Sequence, residues 1–124
     1  MILGIGTDLA EISRIRRVGL RRLAGRILSK EEMAWMPESD RRREEWLAGR
    51  FAAKEAVAKA TGTGIGGRLS FRDIEIFNDD RGKPYVRIAS EVLMGLGWGR
   101  DVTIHLSITH SGDHALAFVV VEGG

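Results

Sequence analysis

Arg50-Phe-Ala-Ala-Lys54-Glu55-Ala-Val-Ala-Lys59-Ala-Thr-Gly62-Thr-Gly64-Ile-Gly66-Gly67 is the stretch around which this chain is organised. Through Ala60 it consists of good helix formers, with neither Gly nor Pro. At about 100° per residue, Ala52, Ala53, Ala56, Val57 and Ala60 fall on one side of the predicted helix. Glu55 and Lys59, four residues apart, stand together just outside that arc, with Phe51 beside them. Alanines let such a helix approach a sheet closely, which holds the charged pair near the protein body. Gly62, Gly64, Gly66 and Gly67 then end the helix and open a loop whose backbone can come close to a ligand. A plain amphipathic helix with a solvated ion pair and a glycine cap fits the same residues.

Outward from this stretch, composition sets bounds. At 124 residues the chain reads as one domain, 1–124, with a core of its own and a size that favours assembly. Hydrophobic residues at 44% and charged residues at 29% are globular values. The absence of cysteine excludes disulfides and thiolate metal sites. No apolar run approaches the roughly 20 residues of a membrane span, and the first residues lack a charged leader, so the expected location is cytoplasmic with no membrane partner. Formal charge is only +2, yet the arginines are clustered, which points to anionic partners.

Upstream, Met1 to Leu9 reads as a strand interrupted by Gly4 and Gly6, with Asp8 at its end. A carboxylate there suits a cation or a phosphate-bound metal; taken alone, capping of the next helix is the simpler reading. From Ile12 to Leu28 a broken helical period carries Arg14, Arg16, Arg17, Arg21, Arg22 and Arg26, with Gly19 and Gly25 as expected breaks. Solvated faces normally mix both signs, so this segment suits docking of an acidic partner. Nucleic acid is not the expected one, because no aromatic residue is interleaved for base stacking. Ser29-Lys-Glu-Glu32 fits a capping box for a short helix through Met36, and Pro37 ends it.

Downstream, Leu69 to Phe77 alternates as a strand, Asn78-Asp-Asp-Arg-Gly82 signals a hairpin, and Lys83 to Ile88 is the return strand. Ser90 is expected to cap a short helix. Val102 to Thr109 alternates strictly, His110 to Asp113 reads as a turn, and Ala115 to Val121 is apolar on both faces, as in a central strand.

The glycine loop follows a helix, whereas a dinucleotide fingerprint follows a strand and opens a helix. No Gly-Lys-Ser/Thr supports a P-loop, and His105, His110 and His114 lack zinc spacing. His105 alternates with core residues and reads as a structural or hydrogen-bonded histidine. What remains is Asp8, Glu55, Lys54, Lys59, Arg50, Lys83 and His110. Two carboxylates suit Mg²⁺, which keeps waters and takes phosphates as further ligands. The cations would then neutralise a phosphate ester or pyrophosphate leaving group. The residues alone thus reach metal-assisted chemistry on a phosphate-containing substrate.

Four segments resemble the holo-(acyl carrier protein) synthase family of 4′-phosphopantetheinyl transferases, in that family's order and spacing. They are Gly4-Ile-Gly-Thr-Asp8, the stretch from Arg50 to Gly66, Gly82-Lys-Pro84 and His105-Leu-Ser-Ile-Thr-His110. The resemblance implies an α+β fold, with a long helix on an antiparallel sheet, and a homotrimer with sites between subunits. It implies transfer of the phosphopantetheine arm of coenzyme A to a serine of apo-acyl carrier protein, releasing adenosine 3′,5′-bisphosphate, in the service of fatty acid biosynthesis. By the same resemblance Asp8 and Glu55 would hold Mg²⁺, and Lys59 would offset charge on the phosphoryl group and help protonate the leaving group. Arg50, Gly62, Lys83, Pro84, His110 and Ser111, with Lys59, would contact coenzyme A. Glu55, a metal-bound water and His110 are all candidates to take the serine proton. Arg14, Arg21 and Arg22 would receive the acidic carrier. Two rivals remain at this stage: a basic nucleic-acid-binding module, and a carrier-binding domain that consumes no coenzyme A.

Overall fold

The alanine arc becomes one face of a 22-residue helix. In the computed structural model, which describes residues 1–99 and 101–124, the elements in order are β1 (Ile2–Glu11), α1 (Ile12–Val18), α2 (Leu20–Ile27), α3 (Lys30–Met33) and α4 (Asp40–Thr61). A 3₁₀ turn (Phe71–Asp73), β2 (Glu75–Asn78), β3 (Pro84–Arg87), α5 (Ser90–Gly95), β4 (Val102–Ser111) and β5 (His114–Gly123) follow. β1, β5 and β4 form an antiparallel sheet in that order, and β2 and β3 form a separate hairpin. This is the expected α+β architecture.

Close packing of α4 on β1 explains the two glycines that interrupt the first strand. A methyl at Gly4 would run into the carbonyl of Ala60, and one at Gly6 into the carbonyl of Ala56. The pairing of Gly4 with Ala60 and Gly6 with Ala56 also makes helix and strand antiparallel. Ala52, Ala53, Ala56 and Val57 are completely buried here. From Leu47 to Ala60, α4 is buried over most of its circumference, Arg50 and Lys54 included, because α2, the 3₁₀ turn and β2 cover its other side; Phe51, Glu55 and Lys59 form the stripe left open. β5 is central as expected, but only one of its faces is core. Ala115, Ala117, Val119 and Val121 are buried under α4, whereas Leu116 and Phe118 face outward on an uncovered sheet face.

Several local expectations change. β1 continues to Glu11, so Asp8 sits inside the strand opposite Ala117 and caps nothing. That role belongs to Asp113, whose backbone carbonyl accepts from Ile12 N at 2.7 Å and whose carboxylate accepts from Ser13 N at 3.1 Å. Gly19, with φ 103°, does separate two helices, but Gly25 lies within α2. The Ser29–Glu32 capping box forms as expected, although its helix ends at Met33. The strand expected from Leu69 begins only at Glu75, because Ser70 and Asp73 form a reciprocal cap on the 3₁₀ turn. α5 is capped at Ala89, and Ser90 is its first residue. β4 runs through Ser111, which leaves Gly112 and Asp113 as the turn.

Candidate active site

Asp8 shares with Gly4 and Gly6 the face of β1 that looks onto α4. Lys59 reaches across from the helix, and its Nζ donates to Asp8 Oδ1 at 3.1 Å. The i,i+4 pair expected between Glu55 and Lys59 is thus replaced by a bond to a residue on the sheet. Glu55 is half-buried beside them and, among the described residues, has no ion pair. Burial pushes its carboxyl above the ordinary carboxylate range and the negative charge of Asp8 pushes it further, with Lys59 opposing. Two carboxylates therefore share one ammonium, and the surplus negative charge favours a second cation. No group of three candidate metal ligands occurs among the described residues. A cation here would complete its shell with waters and ligand oxygens, as Mg²⁺ does. α4 ends two residues beyond Lys59 at Thr61, capped by Gly62, whose φ of 80° only glycine adopts readily, and the chain leaves as the glycine loop.

Arg50 belongs to a different neighbourhood. It is buried, its guanidinium lies 4.6 Å from the centre of the Trp46 ring, and one Nη donates to Asn78 Oδ1 at 2.6 Å. Asn78 in turn donates to the Gly82 carbonyl at 2.8 Å, which ties Arg50 to the turn preceding Lys83 and Pro84. Among the described residues, Arg50 Nε has no partner and no carboxylate pairs with the guanidinium, and burial lowers its pKa to about 10. Such a cation is suited to an anion arriving from outside. Asn78, missed from the sequence, had no signal beyond its place at a hairpin.

His110 is on the far strand of the sheet. Its Nε2 donates to the Glu45 carbonyl at 3.0 Å and lies against Gly49, where a Cβ would stand 3.2 Å away. Register places it across β5 from Ala10, two inter-strand spacings or about 9.5 Å from β1. Ser111 follows it at the turn, paired with His114. Within one chain, then, Asp8, Glu55 and Lys59 converge, Arg50 joins Lys83 and Pro84 through Asn78, and His110 packs on α4 beside Gly49, away from Asp8. His105 forms an exposed pair with Glu122 at 3.0 Å, in keeping with its reading as a hydrogen-bonded residue. Lys54 does not join the site: its ammonium is sealed inside the protein on Glu32 at 2.6 Å.

A groove of about 370 Å³ opens between the end of β1, α1 and α2. Its lining includes Leu9, the residue after Asp8, and Phe51, one turn before Glu55, with Glu11, Arg14, Leu23 and Arg26. Of the three arginines expected to dock a carrier, only Arg14 faces this groove. Arg21 lines a separate one with Met33 and Met36, and Arg22 is exposed. Arg16 is bound to Glu44 at 2.7 Å. Arg26 was part of the basic segment, but its position beside Arg14 follows from the angle between α1 and α2.

Residues 4–119 match the family model of the 4′-phosphopantetheinyl transferase superfamily. The chain is 48% identical to the holo-(acyl carrier protein) synthase of Geobacillus sp. (strain WCH70), over 98% of each chain. It is also 48% identical to that of Bacillus subtilis (strain 168), over 98% of this chain and 97% of that one. A crystal structure of a holo-(acyl carrier protein) synthase from Bacillus anthracis, in complex with CoA (3′,5′-ADP), superposes with TM-score 0.85 at 44% identity, covering 100% of this chain and 99% of that one. The Neisseria meningitidis structure gives TM-score 0.86 at 44% identity, covering 98% and 99%.

Proposed function

This chain belongs to the holo-(acyl carrier protein) synthases of the 4′-phosphopantetheinyl transferase superfamily, and on that premise we propose that it moves the phosphopantetheine arm of coenzyme A onto a serine of apo-acyl carrier protein, with Mg²⁺ bound. The observation that carries this reading is the cluster of Asp8, Glu55 and Lys59, one residue along β1 from Leu9 and one turn along α4 from Phe51, which line a groove together with Arg14 and Arg26. The serine oxygen attacks the phosphorus that bears the pantetheine arm, the bond from that phosphorus to the nucleotide oxygen breaks, and adenosine 3′,5′-bisphosphate leaves. Asp8 and Glu55 would hold the Mg²⁺, which supplies positive charge to the pyrophosphate oxygens. Lys59, half exposed and flexible beyond its bond to Asp8, offsets charge on the phosphoryl group and protonates the departing oxygen. Glu55 accepts the proton from serine, alone or through a water.

Arg50 and Lys83 receive the phosphates of the nucleotide, with Gly62, Pro84, His110 and Ser111 around it. Among the described residues, no hydrogen bond or ion pair joins these groups to Asp8, Glu55 or Lys59, so the reading extends to a homotrimer whose clefts bring them together. The uncovered sheet face supports this: Ile5 and Leu9 are 60% and 61% exposed there, next to Phe118 at 45%. No helix among the described residues is long and apolar enough to cross a membrane, and the enzyme would act in the cytoplasm as one domain over residues 1–124. The test is incubation with coenzyme A, Mg²⁺ and an apo-carrier, followed by intact-mass measurement. A gain of one phosphopantetheine is expected, and it should vanish in excess chelator; no gain on any acidic carrier would refute the reading.

A further inference from the structure

Among the described residues, Lys54 is the largest completely buried side chain, and nothing in the proposed reaction uses it. Its ammonium donates to the Ile27 carbonyl at 2.6 Å, to Glu32 Oε1 at 2.6 Å and to the Phe71 carbonyl at 3.1 Å. Glu32 also accepts from Ser29 N at 3.0 Å and from Ile76 N at 2.9 Å. One ammonium thus gathers the end of α2, the start of α3, the 3₁₀ turn and β2. The Ile27 carbonyl belongs to the last turn of α2, where carbonyls lack helical partners and a cation is favoured. Apolar residues of similar size often hold a core as well as a buried ion pair does, so stability alone is a poor reason for this one. Its position is more informative. Lys54 precedes Glu55 on α4, and α2 carries Leu23 and Arg26, which line the same groove as Phe51.

We propose that Lys54, acting through Glu32 and the Ile27 carbonyl, is a positioning residue that fixes α2 against the turn of α4 bearing Glu55. It thereby holds the carrier-docking groove in line with the Asp8–Glu55 pair. The inference rests on the transferase reading, and its test separates the two. The double variant Lys54→Met with Glu32→Gln preserves volume and most of the α3 cap while removing the tie to α2. Binding of apo-acyl carrier protein is measured by calorimetry, and steady-state kinetics are run on both substrates.

The expected result is a folded variant whose carrier Kd and KM rise about tenfold, while its KM for coenzyme A and its kcat at saturating carrier stay within about twofold. A pair that merely stabilises the fold would instead lower kcat through lost active enzyme and leave both KM values alone; that outcome overturns the proposal. Should the double variant fail to fold, Glu32→Gln alone decides, because it weakens the Lys54 tie and keeps the side chain's size. A carrier KM raised about threefold supports the positioning role, and an unchanged one refutes it. Wild-type protein that binds the carrier but transfers nothing would sink the transferase reading, and the Kd comparison would still judge Lys54.

Discussion

Replacing Gly6 with alanine tests whether the approach of β1 to α4 is what builds the active site. The new methyl would overlap the carbonyl oxygen of Ala56, a backbone atom that no side-chain rotation can move away. Strand and helix must therefore part, by on the order of 1 Å if the contact is to return to normal packing. Overpacking of this kind costs about 1–3 kcal/mol, which for a chain of 124 residues lowers Tm by about 4–12 °C. The larger consequence is for the chemistry. Asp8 lies two residues on, on the same face of β1, so the displacement widens its distance to Glu55 and Lys59. A misplacement of about 1 Å costs on the order of 10²-fold in rate. Calorimetric melting at fixed protein concentration and kcat/KM, measured well below the variant's transition, provide the two readouts. Gly4→Ala is the control: it meets the Ala60 carbonyl, but the strand register is already irregular between Ile2 and Gly4, so the distortion can be absorbed away from Asp8. It should cost similar stability and much less activity. A Gly6→Ala enzyme that melts earlier yet keeps wild-type kcat/KM would refute the link between helix–strand spacing and catalysis.

Glu55→Gln should abolish most transfer and yet raise Tm at neutral pH. A carboxyl whose pKa is raised on folding favours the folded state fully only below its unfolded value, and that contribution is lost as pH rises through the folded pKa. The variant's advantage in Tm should therefore shrink on acidification through that range, and an advantage constant with pH would contradict the assignment. Sedimentation should give three times the 13.7 kDa chain mass, with Phe118→Glu dissociating the particle and losing activity; a fully active monomer would exclude sites shared between subunits. Arg14→Glu with Arg26→Glu should raise the carrier KM about tenfold or more at low salt and flatten its salt dependence, leaving the KM for coenzyme A in place. An unchanged carrier KM would show the groove to be merely solvated.

Features written in local spacing were legible from the residues. The alanine arc and Gly62 bounded the end of α4, Ser29 and Glu32 announced their own cap, and Asn78 to Gly82 marked the hairpin. Strict alternation identified β4, and the apolar run of β5 marked it as central. Where a local cap competed with a strand pattern, as at Ser70 and Asp73, the cap prevailed because its hydrogen bonds close within three residues. What the sequence left open is which element covers each face. Helical spacing put Lys54, Glu55 and Lys59 within two turns, but it could not say that Lys54 would be sealed against Glu32. Nor could it say that Lys59 would find Asp8, 51 residues away, instead of Glu55. The basic segment was evident as a run of arginines, yet the break at Gly19 and the packing of α2 on α4 decided that Arg14 and Arg26 share a groove while Arg21 lines another. Periodicity sorts side chains by face within one element. Their chemistry depends on which other elements, distant in the chain, pack against that face and exclude water from it.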